Sequence, residues 1–115
     1  MTLSVGAQEL KLFIENDETL YRQQGFPIIK NLTAKKASGK YDHALAAKLY
    51  LYYVDAGAKK YAKDFGESKE WNKLFPKPDR EAAAKKFADE FQSRFADGDY
   101  DAYIPKKYQS APRRR

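Results

Sequence analysis

The sequence predicts an all-α protein, a compact bundle of four to five helices around one long central helix at about residues 43–65. Three observations carry this expectation. Helix start and stop residues recur along the whole chain, apolar residues return at three- and four-residue spacing, and no stretch alternates apolar and polar residues long enough to make a strand. At 115 residues and 43% hydrophobic composition, the chain is one domain with enough apolar matter for a single core. Residues 1–104 are read as that domain and residues 105–115 as a flexible basic tail.

Ser4 is placed to cap a first helix whose Leu10, Phe13, Ile14, Leu20 and Tyr21 fall on one side. Asn16 and Asp17 interrupt that side, which leaves open whether residues 5–24 form one helix or two, with Gly25 as the stop. In "GFPIIKNLTAKKASG", Pro27 suits a first helical turn and Gly39 the position just past an end. Ile28, Ile29 and Leu32 would face the core, with Lys35, Lys36 and Lys40 toward solvent.

Asp42 reads as the cap of the central helix. Along it, Ala47, Leu51, Val54, Ala58, Tyr61 and Phe65 form one apolar arc, and Leu45, Leu49, Tyr53 and Ala56 form another. A helix apolar on two sides packs on two sides. Gly57 stands in its middle at a cost of ~1 kcal/mol against Ala, which points to a close helix–helix approach there. Gly66 supplies the stop. Ser68 is placed to cap a short turn carrying Trp71, Leu74 and Phe75. Asp79 is expected to cap a last helix at about 80–96, with Phe87, Phe91 and Phe95 recurring beside Ala84 and Ala88. Beyond Gly98, Pro105 and Pro112 discourage further helix, and Tyr100–Ile104 should dock on the body.

Gly-x-Tyr-Asp occurs twice, at 39–42 and 98–101. In each copy Gly ends a helix, Asp is positioned to cap the next segment, and Tyr is free to pack back on a neighbouring helix. The repeat is punctuation.

Chemistry is sparse. The chain has no cysteine, which excludes disulfides, thiolate metal sites and Cys nucleophiles. The single histidine, His43, lacks the partners of a metal ligand or general base and is read as a boundary residue. "DGDYD" matches the first three ligand positions of an EF-hand loop, but Ala102 and Tyr108 stand where Gly and Glu are required. No phosphate loop, zinc spacing or nucleophile elbow occurs. An enzyme is not expected, nor a cofactor or metal. No apolar run approaches the ~18–20 residues that span a bilayer, and the N-terminus carries no signal-like pattern, so a cytoplasmic protein is expected.

The charge is the one directional signal. Net charge is +6, yet outside residues 105–115, which hold five of the 22 basic residues, 17 bases face 16 acids. Lys106, Lys107, Arg113, Arg114 and Arg115 stand in that tail without an acid, as do Lys30, Lys35, Lys36 and Lys40 within residues 27–41. Lys48, Tyr52, Lys59 and Lys63 share the polar face of the central helix, where Asp55 blunts their field. These residues mark a small non-enzymatic accessory protein binding nucleic acid through phosphate contacts from the tail and residues 30–40. The alternative is an interaction module or inhibitor engaging an acidic partner protein. Oligomeric state is not legible.

Overall fold

A computed structural model describes residues 3–108, apart from the side chain of Ser68. It is all-α, and no strand occurs among the described residues. Four long helices dominate: α1 (Val5–Glu15), α3 (Phe26–Ser38), α4 (His43–Asp64) and α6 (Lys77–Ala96). Two short ones, α2 (Glu18–Leu20) and α5 (Trp71–Leu74), join them.

Ser4 caps α1 as expected, its Oγ accepting from the Ala7 N–H at 3.1 Å. The first segment is two helices. The chain breaks at Asn16, and Asp17 then caps α2 by accepting from the Leu20 N–H at 2.9 Å. Gly25 is not a stop. A π-helical turn, Tyr21–Gly25, carries α2 into α3, with the Phe26 N–H reaching back to the Tyr21 carbonyl. A wide turn there spares the helix the N–H that Pro27 lacks. Gly25 is needed for closeness instead: a Cβ on it would stand 2.8 Å from Tyr53 Cζ.

Asp42 caps α4, its Oδ1 accepting from the Ala44 and Leu45 N–H groups at 3.0 and 3.3 Å. The central helix packs on α1 and α6 along its length and on α3 and α5 at its flanks. Its buried stripe is Ala46, Tyr50, Tyr53, Val54, Gly57, Ala58 and Ala62. That stripe runs between the two arcs read from the sequence, which leaves Leu45, at the far edge of one arc, 42% exposed; Phe65, 63% exposed, stands just past the helix end. Gly57 is where α1 comes closest, and a Cβ there would lie 2.3 Å from Ile14 Cγ1.

After α4, a 3₁₀ turn (Ser68–Glu70) and α5 bring Phe75 into the core, while Leu74 stays exposed. The Ser68 cap lies outside the described side chains. Helix α6 starts earlier than expected, at Lys77. Pro76 holds extended backbone before it and Pro78 fits its first turn, so Asp79 lies inside the helix rather than capping it. Its Oδ1 accepts from the Ser4 hydroxyl at 2.9 Å. Ala83, Ala84, Ala88 and Phe91 are the buried side of α6.

The repeated Gly-x-Tyr-Asp closes on one residue. Gly39 (φ 78°) and Gly98 (φ 85°) both end helices in left-handed conformation. Behind each, the next residue's N–H bonds back, Lys40 to Lys35 at 2.8 Å and Asp99 to Arg94 at 3.0 Å, completing a Schellman motif. The two tyrosines then stack on the same ring: Tyr41 lies 5.8 Å from Phe91 and Tyr100 5.4 Å from it, inclined by 23° and 12°. Asp42 starts a helix and Asp101 only a 3₁₀ turn (Asp101–Tyr103), after which Ile104 is buried. The expected docking of Tyr100–Ile104 is thus observed.

Candidate nucleic-acid interface

Helix α3 carries Lys30 and Lys35, and Lys36 and Lys40 bracket its end. Among the described residues none of these four is ion-paired. Elsewhere two lysines bridge elements through carboxylates, Lys11 of α1 meeting Glu90 of α6 at 2.9 Å and Lys60 of α4 meeting Asp17. Segment 27–41 contains no acid to do the same.

Two of the four are not simply solvated. Lys36 lies over the Tyr41 ring at 4.6 Å and near Phe95 at 5.7 Å, and Lys30 lies 5.6 Å above Phe26. A lysine stem covers apolar surface in this way while its ammonium stays at the water boundary.

The C-terminal segment returns to the same helix. Tyr103 meets Phe26 edge to face at 5.1 Å, so the chain leaving Ile104 starts beside the α3 turn that bears Lys30. Lys106 and Lys107 come next in a 3₁₀ turn (Lys106–Tyr108), with Lys107 5.1 Å over the Tyr108 ring. Arg113, Arg114 and Arg115 lie outside the described residues. The fold thus brings Tyr103, three residues before Lys106, to the first turn of α3, where Lys30 also lies on Phe26.

The α4 set does not converge in the same way. Lys48 to Lys63 spans about 22 Å of helix. Tyr52 is 73% exposed, and Lys48 borders an apolar groove between α4 and α6 together with Leu51 and Ala84. Lys59 and Lys63 border a separate hollow near Gln23 that Lys48 and Tyr52 do not reach. Lys59 lies over Trp71 at 4.9 Å, and Arg80 also lies on that ring at 4.6 Å. Asp55 does not blunt the lysines: its Oδ1 accepts from Arg80 Nη1 at 2.7 Å.

His43 is a tether. Its Nδ1 meets the Tyr41 hydroxyl at 2.7 Å and its Nε2 meets Asp89 at 2.8 Å, tying the start of α4 to α6. Among the described residues no cluster of His or acidic side chains could hold a metal ion, and no helix is long and apolar enough to cross a membrane.

Sequence reasoning missed a cavity of about 220 Å³ between the start of α3, the middle of α4 and α6. Tyr50 and Tyr53 line it, and burial pushes both phenols well above the ordinary tyrosine range. The missed signal is Tyr50, which lies between the two arcs assigned to α4 and is buried.

No protein-family model matches the chain, and neither a curated protein nor a solved structure matches it.

Proposed function

We propose that the protein is a non-enzymatic accessory protein of the cytoplasm that binds nucleic acid through phosphate contacts. In this reading Lys30, Lys35 and Lys40 of the α3 region and Lys106, Lys107, Arg113, Arg114 and Arg115 of the tail supply the phosphate contacts. The observation that supports it is the docking of Tyr103, shortly before the basic tail, on Phe26 at the start of a helix whose lysines have no acid in their segment. Such contacts neutralise phosphates without reading base edges, so sequence preference should be weak.

The test is fluorescence anisotropy of random-sequence duplex and single-stranded probes at ~50 mM salt, where phosphate contacts are strongest. The variant Lys30→Glu/Lys35→Glu/Lys40→Glu should lose most affinity for every probe, and Lys59→Glu/Lys63→Glu should lose little. Equal affinity of the α3 variant and the unaltered protein would overturn the assignment.

One feature favours the second reading, a module for an acidic partner protein. Tyr52, 73% exposed, stands on the same helix as Lys48 and Leu51 of the apolar α4–α6 groove, and exposed tyrosine beside apolar surface is typical of protein interfaces. Pull-down with and without nuclease separates the two: a stoichiometric protein retained after nuclease supports the second.

A further inference from the structure

The π-helical turn, the start of α3 and the C-terminal segment meet in a row of rings at the surface. Tyr21 lies 6.1 Å from Phe26, Phe26 5.1 Å from Tyr103, and Tyr103 6.3 Å from Tyr100. Two of the four belong to the packing. Tyr100 is half-buried and stacked on Phe91, and Phe26 is half-buried with the Lys30 ammonium 5.6 Å above it. Tyr21 and Tyr103 are 39% and 41% exposed. Burial, then the nearby Tyr103 phenol, raises the Tyr21 phenol against the pull of Arg94, so these side chains share one neighbourhood. Exposed rings joined into one patch, rather than scattered singly, mark a contact surface.

The charges beside the patch favour an anion, weakly. Lys30 stands on Phe26, and Lys106 and Lys107 follow Tyr103 in the next turn, Lys107 over Tyr108 at 5.1 Å. Arg22 is already paired with Glu18 at 3.4 Å. Against the three lysines stand Asp99 and Asp101, the acids of the turn before Tyr103. The Asp101 carboxylate turns back over Gly98, where a Cβ would stand 3.2 Å from its Oδ2. Tyr21 and Tyr100 also line the adjoining hollow, in which Arg94 and the neighbouring Lys11 balance Glu15 and Glu90 and add no net charge. Charge alone therefore gives a small preference for phosphate and none between duplex and single strand. The rings supply the difference. Base faces in a duplex are closed against one another, whereas those of a single strand are open to aromatic side chains.

We propose that Tyr21 and Tyr103 are a stacking platform for unpaired bases, with Lys30, Lys106 and Lys107 on the flanking phosphates, so that the nucleic acid bound is single-stranded. This rests on the phosphate-binding reading and narrows its substrate. Every base offers a face to stack on, so no sequence preference follows.

The probes are a mixed-sequence DNA strand of about 15 nucleotides, the same strand as RNA, and the DNA duplex, each followed by anisotropy across a salt series with the full-length protein. Both single strands should bind more tightly than the duplex at every salt. Tyr21→Ala and Tyr103→Ala should each weaken the single strands about five- to 150-fold, the worth of one stacked base, and change the duplex less than about twofold. Tyr21→Phe and Tyr103→Phe keep the ring and should keep the affinity. Tyr21→Ala removes no charge and should leave the salt slope unchanged, whereas Lys30→Glu should flatten it. The unaltered protein gives a readout that no folding defect touches: the ring-proton NMR signals of Tyr21 and Tyr103 should shift on adding a single strand and not on adding the duplex. Unmoved rings, alanine variants that bind single strands unchanged, or a duplex bound as tightly as the single strands would overturn the platform alone. No binding to any probe would overturn the phosphate-binding reading and the platform with it.

Discussion

Replacing Gly57 by Ala tests the contact on which the α1–α4 packing depends. The added methyl would lie 2.3 Å from Ile14 Cγ1 and 2.6 Å from Cδ1, where ordinary contacts begin at 3.4 Å. Ile14 is fully buried, and a β-branched residue in a helix has essentially one χ1 rotamer, so it cannot turn away. The helices must therefore part by about 1 Å in a close-packed interior. Such overpacking costs about 1–3 kcal/mol, against about 1 kcal/mol gained by Ala over Gly in helix propensity. The net expectation is a loss of up to about 2 kcal/mol, read as a fall in Tm of up to roughly 10 °C and in the urea midpoint. Ile14→Ala alone should cost about 2–5 kcal/mol. In that background the clash is gone, so Gly57→Ala should turn neutral or stabilising. A coupling of about 1–3 kcal/mol between the two sites is expected. Gly57→Ala that stabilises the unaltered protein by the full ~1 kcal/mol of helix propensity would refute this placement of α1.

Three further outcomes rest on buried or paired polar groups. Thr33 is fully buried with no partner for its Oγ1, so Thr33→Val should stabilise by about 1–3 kcal/mol, raising Tm. The Lys60 hydrogen bond and the Leu20 N–H hold the Asp17 carboxyl below its usual range. This contribution is present above the unfolded pKa and lost as pH falls through the folded one; Asp17→Asn should flatten the decline in Tm between about pH 5 and pH 2. At the other extreme, burial raises Tyr50 and Tyr53, and the hydrogen bond to Glu9 raises Tyr61. Their contribution is complete below about pH 10 and lost above it, so stability should fall with rising alkalinity, and Tyr50→Phe should reduce that slope by up to about 1.4 kcal/mol per pH unit.

Local signals carried much of the fold. Ser4, Asp42, Gly39, Gly66 and Gly98 each act on backbone within a few residues, and each does what its side chain, or the lack of one, dictates. Gly57 was legible because a mid-helix glycine needs a reason. Gly25 was misread for the same local cause: its reason is the Tyr53 ring, 28 positions away, and a π-helical turn has no simple periodicity to announce it. Asp79 was misread because Pro76 and Pro78 begin α6 by fixing dihedrals, without a side-chain cap. The arcs of α4 failed at Leu45 since the hydrophobic pattern is wider than the surfaces that α1 and α6 offer it, and at Phe65 since the helix ends there. Charges were the least legible. Lys59 on Trp71, Asp55 on Arg80 and Lys36 near Phe95 are tertiary choices, and so is the return of Tyr103 to Phe26.

Salt dependence of duplex binding tests phosphate recognition most directly. Log affinity should fall linearly with log salt, with a slope near −0.9 per phosphate neutralised. Deleting residues 105–115 removes five positive charges beyond the buried Ile104 and should flatten that slope by up to ~4 units while Tm barely moves. Reversing Lys30, Lys35 and Lys40 should flatten it further, and all duplex sequences should weaken alike. A full-length protein that shows no measurable duplex or single-strand binding at ~50 mM salt would contradict the account.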